Sequence, residues 1–283
     1  MRRIKFFKMH GLGNSFIFLD LLDRSYRSVD YSDLARSICD ISTGVGADGL
    51  ILIGKSRRAD FAMRIINSDG SEAEMCGNGL RCMVRYLYDN QLASGKKMNV
   101  DTLAGRISAE VVDSSKNSFK VKVAMGRPVF DTDQIPVLSR SKEHIEKAIR
   151  VNNQQLKITV VSMGNPHAVC FVEDFDFDLH LLGPMLENHK IFPERANVEF
   201  VKVLSSNRIA LKSWERGAGP TSASGTGASA SVAAGIKTGR LRSEVDVRFE
   251  NGNLALYQDP DEHVIYQSGP AEYILCGEYY YRG

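Results

Sequence analysis

Apolar residues in this chain fall mostly into short strand-like stretches, and two longer stretches change to helical spacing. In the first half the runs at 4–7, 16–19, 50–53, 61–66, 98–102, 106–112 and 118–124 read as strands, because each is bounded by turn-forming residues. The second half repeats the style at 156–162, 168–172, 198–203 and 209–214. Leu80, Met83, Val84, Tyr86 and Leu87 lie instead at the spacing of one helix face, and the small residues of 228–236 form a second helix. Shorter helices are expected through Ala35 and Ile38, with Ser32 and Asp33 as candidate caps, at 181–186, and around 143–149. Hairpin-like runs close the chain.

The polar punctuation between these elements carries the candidate chemistry. His10-Gly11-Leu12-Gly13-Asn14-Ser15 joins the first two strands. Gly44-Val45-Gly46-Ala47-Asp48-Gly49 has a Gly-x-Gly, but a strand follows where a dinucleotide fingerprint needs a helix. Asn67-Ser68-Asp69-Gly70-Ser71-Glu72 leads into Cys76-Gly77-Asn78-Gly79 at the start of the first long helix. A thiol at a helix N-terminus meets unpaired N–H groups that favour an anion. Alone, each stretch is ordinary turn chemistry: Asn14 and Asn165 are turn formers, Glu215-Arg216 a surface ion pair, Cys76 a packed thiol.

The order of features repeats. Strand, Gly-Asn turn, strand, then strand, polar turn and helix occur once ending in Cys76-Gly77-Asn78-Gly79. They occur again ending in Ser224-Gly225-Thr226-Gly227. Asn14 and Asn165 are separated by nearly the same interval as Cys76 and Ser224, and Asn67 stands opposite Glu215. A domain duplicated in this way would aim two helix N-termini at one small anion. That suits a reaction needing an acid/base on each face of a carbon.

Composition narrows the partners. With 43% hydrophobic and 25% charged residues the chain is an ordinary globular protein, and a net charge of +2 without a basic run disfavours nucleic acid. No apolar run reaches a membrane span, and Arg2, Arg3 and Lys5 are not followed by a signal-peptide core. Cys39, Cys76, Cys82, Cys170 and Cys276 show no paired spacing, so neither a disulfide framework nor a metal site is expected, and a cytoplasmic location fits. Cys39, Cys82, Cys170 and Cys276 read as packing. His10, His144, His180, His189 and His263 read as surface or satisfied residues.

Taken in order, Lys8–Asn14, Gly44–Gly49, Asn67–Ser71, Met75–Cys82, Met163–His167, Phe192–Asn197 and Glu215–Gly219 resemble the diaminopimelate epimerase family. The resemblance implies an α+β fold of two pseudo-symmetric domains, each a curved mixed sheet around a central helix. Here they would be 1–125 plus 270–283, and 126–269. It implies a cofactor-free epimerase that interconverts LL- and meso-2,6-diaminopimelate, without metal, as a homodimer. Cys76 matches one of two catalytic cysteines. Asn14, Asn67, Asn165, Asn197, Glu215 and Arg216 match side chains that hold substrate, while Gly77, Asn78, Gly225 and Thr226 match backbone donors. His167 matches a histidine beside the thiols. The chain departs from the family pattern at Ser224, where the second catalytic cysteine is expected, and at Pro220, where Glu is usual. A hydroxyl is far less acidic than a thiol and needs an adjacent base. Two other readings therefore stand beside epimerisation: a one-base lyase or isomerase using Cys76 alone, and a weakly active binding paralogue.

Overall fold

The computed structural model describes residues 1–22, 29–152 and 154–283. The chain divides into two compact units, 1–123 with 268–283 and 124–267.

Unit 1 begins with strands β1 (Arg2–Gly11) and β2 (Asn14–Asp20), an antiparallel hairpin closed at Gly11 and Asn14. Leu12 and Gly13 both take positive φ there, so the turn projects Asn14 from the first position of β2. Helix α1 (Tyr31–Ile38), strands β3 (Gly49–Gly54), β4 (Phe61–Asn67) and β5 (Glu72–Ala73), and helix α2 (Gly77–Asp89) follow. Strands β6 (Lys97–Thr102), β7 (Gly105–Ser115) and β8 (Ser118–Gly126) come next. β2 pairs parallel with β3, β3 antiparallel with β4, β4 antiparallel with β5 and parallel with β6, and β6 antiparallel with β7. One core gathers Leu34, Ala35 and Ile38 of α1 with Ile4, Ile17, Leu19, Leu50, Leu52 and Ile66 of the strands. α2 buries Leu80, Met83, Val84 and Leu87. At about 1.5–3 kcal/mol for each large apolar side chain, that face holds the helix far more strongly than its propensity does.

Unit 2 carries β9 (Lys147–Val151), β10 (Gln154–Ser162), β11 (Pro166–Val172), α3 (Leu179–Glu187), β12 (Asn197–Ser205) and β13 (Arg208–Glu215). After these come β14 (Gly219–Thr221), α4 (Gly225–Lys237), β15 (Glu244–Phe249), β16 (Gly252–Gln258) and β17 (Ile265–Pro270). The last strand, β18 (Glu272–Tyr281), returns to unit 1 and pairs antiparallel with β1. The ladder pattern of unit 1 recurs here. β10 pairs antiparallel with β11, β11 parallel with β12, and β12 antiparallel with β13. β13 pairs antiparallel with β14 and parallel with β15, and β15 antiparallel with β16. The expected α+β architecture with internal repetition is present. α4 is buried nearly all round, which its Gly, Ala and Ser residues permit. The Ser229 and Ser231 hydroxyls donate to the Gly225 and Gly227 carbonyls at 2.9 and 2.7 Å, so neither is stranded in the core.

Four expectations are corrected. The helix expected around 143–149 is absent: Ile149 and Val151 alternate inward on β9 and pair it with β10, and period 2 decides over local helix propensity. α1 is capped by Asp30, whose carboxylate accepts from Ser32 and Asp33 N–H at 2.9 and 3.2 Å. Cys276 is exposed on β18 and does not pack. His144 is buried with both ring nitrogens unpartnered, and burial lowers its pKa.

α3 and β13 meet at Gly183, where a Cβ would fall 2.4 Å from the Trp214 ring. Gly183→Ala should destabilise the fold by about 1–3 kcal/mol. Urea unfolding followed by fluorescence of Trp214, the one tryptophan of the chain, would read it.

Candidate active site

In unit 1 the site is built around the first turn of α2. Cys76 is the N-cap, in extended backbone conformation, and its Sγ accepts from Gly79 N–H at 3.5 Å. The same Sγ lies 3.7 Å from Asn14 Oδ1. That amide is held in orientation at its other end, where Asn14 Nδ2 donates to Asp48 Oδ2 at 2.9 Å. Ser15 N–H donates to the same oxygen at 2.7 Å, which ties the start of β2 to the loop before β3. Asn78 Nδ2 completes the group, donating to Asn14 Oδ1 at 3.0 Å. Cys76, Asn14, Gly77 and Asn78 are thus one contiguous cluster. Asn67 sits at the end of β4 opposite Gly49 and bonds to Ser71 Oγ at 3.0 Å. The neighbouring Ser68 N–H reaches the Asp48 carbonyl at 3.2 Å, so one loop positions both asparagines.

In unit 2 the first turn of α4 has the same local geometry. Ser224 is the extended N-cap, buried, and its Oγ accepts from Gly227 N–H at 3.1 Å. The Glu215 carboxyl lies near enough to that hydroxyl to feel it, and accepts from Thr221 Oγ1 at 2.9 Å. Glu215 has its pKa raised, chiefly because the protein encloses the carboxyl. Thr221, Ser224 and nearby His167 oppose that rise, and Glu199 adds to it.

His167 is wholly buried, with Nδ1 2.9 Å from Glu199 Oε1 and Nε2 2.8 Å from Asn165 Oδ1. Asn165, His167 and Glu199 therefore form one hydrogen-bonded group, and Glu215 lies within electrostatic reach of His167 and Glu199. Asn197 bridges backbone, donating to the Pro166 carbonyl and accepting from Arg216 N–H, each at 3.0 Å. Arg216 is exposed, and its Nη1 donates to the Glu194 carbonyl at 3.2 Å. Gly225 is buried and Thr226 partly so.

Three residues that shape the site were not singled out in the sequence. Asp48 orients Asn14; its signal was its place in the Gly46-Ala47-Asp48-Gly49 turn. Glu187, at the end of α3, accepts from Trp214 Nε1 at 2.7 Å, Gly217 N–H at 2.8 Å and Arg195 Nη1 at 3.2 Å, and so clamps the turn after Glu215. Glu199 lies inside the apolar run of β12, where nothing distinguishes it until His167 is placed beside it. Among the described residues no group of three or more His, Cys, Asp or Glu side chains could hold a metal ion.

The family model for diaminopimelate epimerase matches residues 6–130 and 159–274. The chain is 45% identical to diaminopimelate epimerase of Desulfitobacterium hafniense over 272 residues, 95% of this chain and 96% of that one. It is 46% identical to the enzyme of that name from Carboxydothermus hydrogenoformans over 279 residues, 98% and 100% of the two chains. Among solved structures, a hydroxyproline epimerase from Agrobacterium vitis superposes with a TM-score of 0.71 at 14% identity, covering 98% and 92%, which is a likeness of fold. Sequence identity on this scale, running through both capped helices and the turns that serve them, makes the chain a member of the diaminopimelate epimerase family of isomerases.

Proposed function

We propose that this chain interconverts LL- and meso-2,6-diaminopimelate by removing the α-proton and returning one, without pyridoxal phosphate. The observation that carries the reading is the pair of matching helix starts, one capped by a thiol and one by a hydroxyl with a carboxyl nearby. Full-length kinship with epimerases favours it over a one-base lyase or a binding paralogue.

The N–H groups of Gly77 and Asn78, and those of Gly225 and Thr226, are suited to receive the substrate's carboxylates. Negative charge that builds up when the α-proton leaves then falls on fixed donors. Asn14, Asn67, Asn165, Asn197, Glu215 and Arg216 orient the ammonium and carboxylate ends, with Asn197 acting through the turn it holds. Cys76 supplies one acid/base. Ser224 supplies the other as a relay: a serine hydroxyl alone is too weak an acid, but Glu215 can pass a proton to it and take one back. The raised pKa of Glu215 brings its acid form closer to working pH. His167 supports the same network.

We further propose a homodimer in the cytoplasm. Supporting observations are Tyr273, Ile274, Leu275 and Tyr280 exposed on β18, five free cysteines, and, among the described residues, no helix long and apolar enough to cross a membrane.

Cys76→Ala should lower diaminopimelate epimerisation by about 10²–10⁴-fold, measured by chiral chromatography. Ser224→Cys should retain or raise the rate, and inactivity of both this variant and the parent would refute the substrate assignment. Glu215→Gln gives a separate check through stability. A carboxyl whose folded pKa lies above its ordinary 4.5 binds more protons folded than unfolded in that window, so its cost to the fold grows as pH rises. The gain in Tm of Glu215→Gln over the parent should be largest near neutrality and should vanish below the ordinary carboxyl range.

A further inference from the structure

Arg81 is the fifth residue of α2 and is completely buried. Its Nη2 donates to Asn78 Oδ1 at 2.5 Å and its Nε to the Pro270 carbonyl at 3.1 Å, while Nη1 has no partner. No carboxylate pairs with it among the described ion pairs. A guanidinium enclosed in this way is expensive unless a counter-anion offsets it.

The anions within its electrostatic reach are two thiols of its own helix, Cys82 and Cys76. Burial pushes Cys82 up to about 12, so it stays a neutral thiol. That leaves Cys76. The two groups stand at the ends of a chain of contacts: Arg81 to Asn78, Asn78 to Asn14, Asn14 to Cys76 Sγ. Gly11 lets that chain pack, since a Cβ there would come 3.0 Å from Arg81 Nη2 and 3.3 Å from Asn78 Cβ.

We propose that Arg81 is the counter-cation of the Cys76 thiolate, a positioning residue that keeps the base charged without touching substrate. The inference rests on Cys76 being the acid/base of unit 1.

Competing groups act in both directions. Asn14 Oδ1, held toward the sulfur by Asp48, accepts from the neutral thiol and favours the protonated form. Gly79 N–H favours the thiolate. Of the remaining charged neighbours, Arg85 lies on α2 near Cys82, and His10 on β1 and Glu272 on β18 face each other at 3.7 Å, both partly exposed. A single S–H···O contact is weak, so a buried full charge decides the balance.

The test uses the full chain in a Cys276→Ser background, which removes the exposed thiol. Iodoacetamide labelling of Cys76 is followed by peptide mass between pH 6 and 10, which needs no turnover. It therefore separates this proposal from the enzymatic reading. With Arg81→Met the midpoint of Cys76 labelling should rise by about one to three pH units, and Arg81→Lys should restore most of it. An unchanged midpoint in a folded Arg81→Met chain, even with a raised KM, overturns the proposal and makes Arg81 a structural or substrate-facing cation. Should Arg81→Met not fold, the ¹⁵Nε resonance of Arg81 decides, assigned by its loss in Arg81→Lys. It should titrate with the Cys76 midpoint in the parent and stay flat in Cys76→Ala. A resonance that does not move in the parent overturns the proposal.

Discussion

The unpaired N–H groups at the start of a buried helix are the constraint on which this protein is built. α2 and α4 each begin inside their own unit, where bulk water cannot satisfy the first-turn amides. One side chain at each N-cap takes one of them: Cys76 accepts from Gly79, and Ser224 from Gly227. The sheets of each unit hold these helices in place, and the tight hairpin before β2 and the turn before β11 bring Asn14 and Asn165 to the polar networks of the two caps.

Around each cap the protein keeps charges that a folding argument alone would remove. Replacing a buried ion pair by apolar residues is often neutral or stabilising, and breaking one by removing a partner typically costs about 3–5 kcal/mol. Unit 2 nevertheless buries Glu187, Glu199 and His167, and unit 1 buries Arg81. Glu187 has a structural use, since its two oxygens hold Trp214, Arg195 and Gly217 and so fix the strand end that carries Glu215. Glu199 is different: one oxygen faces His167 and the other has no partner. It also lies beside the first turn of α4, where a Cβ on Gly227 would come 2.7 Å from Glu199 Oε1. A carboxyl left half-satisfied at a helix N-terminus is poor packing, and it adds to the rise in the pKa of Glu215 that burial chiefly causes.

The sequence made one class of information legible and hid another. Strands such as β3, β4, β12 and β13 were readable because their apolar runs end in Gly, Asn or Glu turns, and α2 because its apolar face keeps the 3.6 period. The family resemblance carried by the order of the motifs puts Cys76, Asn14 and Asn78 in one site. What stayed hidden depends on tertiary neighbours. The stretch 147–151 has helix-compatible residues and became β9 because β10 offered it a ladder. Asp48, Glu187 and Glu199 are single acids whose roles exist only through partners far away in sequence. Cys276 lies in a stretch of β18 exposed from Glu272 to Glu278 in spite of its apolar residues, which one-dimensional context does not reveal.

Serine at position 224 changes where the chemistry resides. As an N-cap, serine is among the preferred residues, with a compact oxygen at ordinary hydrogen-bond distance from the Gly227 amide. Sulfur at Cys76 makes a longer contact of 3.5 Å to its own amide. Unit 2 is therefore the better-capped helix, yet its cap is the weaker acid. In the proposed reaction the Glu215 carboxyl, its pKa raised chiefly by burial, would supply the titratable proton the cap lacks. The two helix starts share one backbone geometry but differ in how the proton is held. In unit 1 the titratable group is the cap atom itself, and in unit 2 it is the Glu215 carboxyl near the cap.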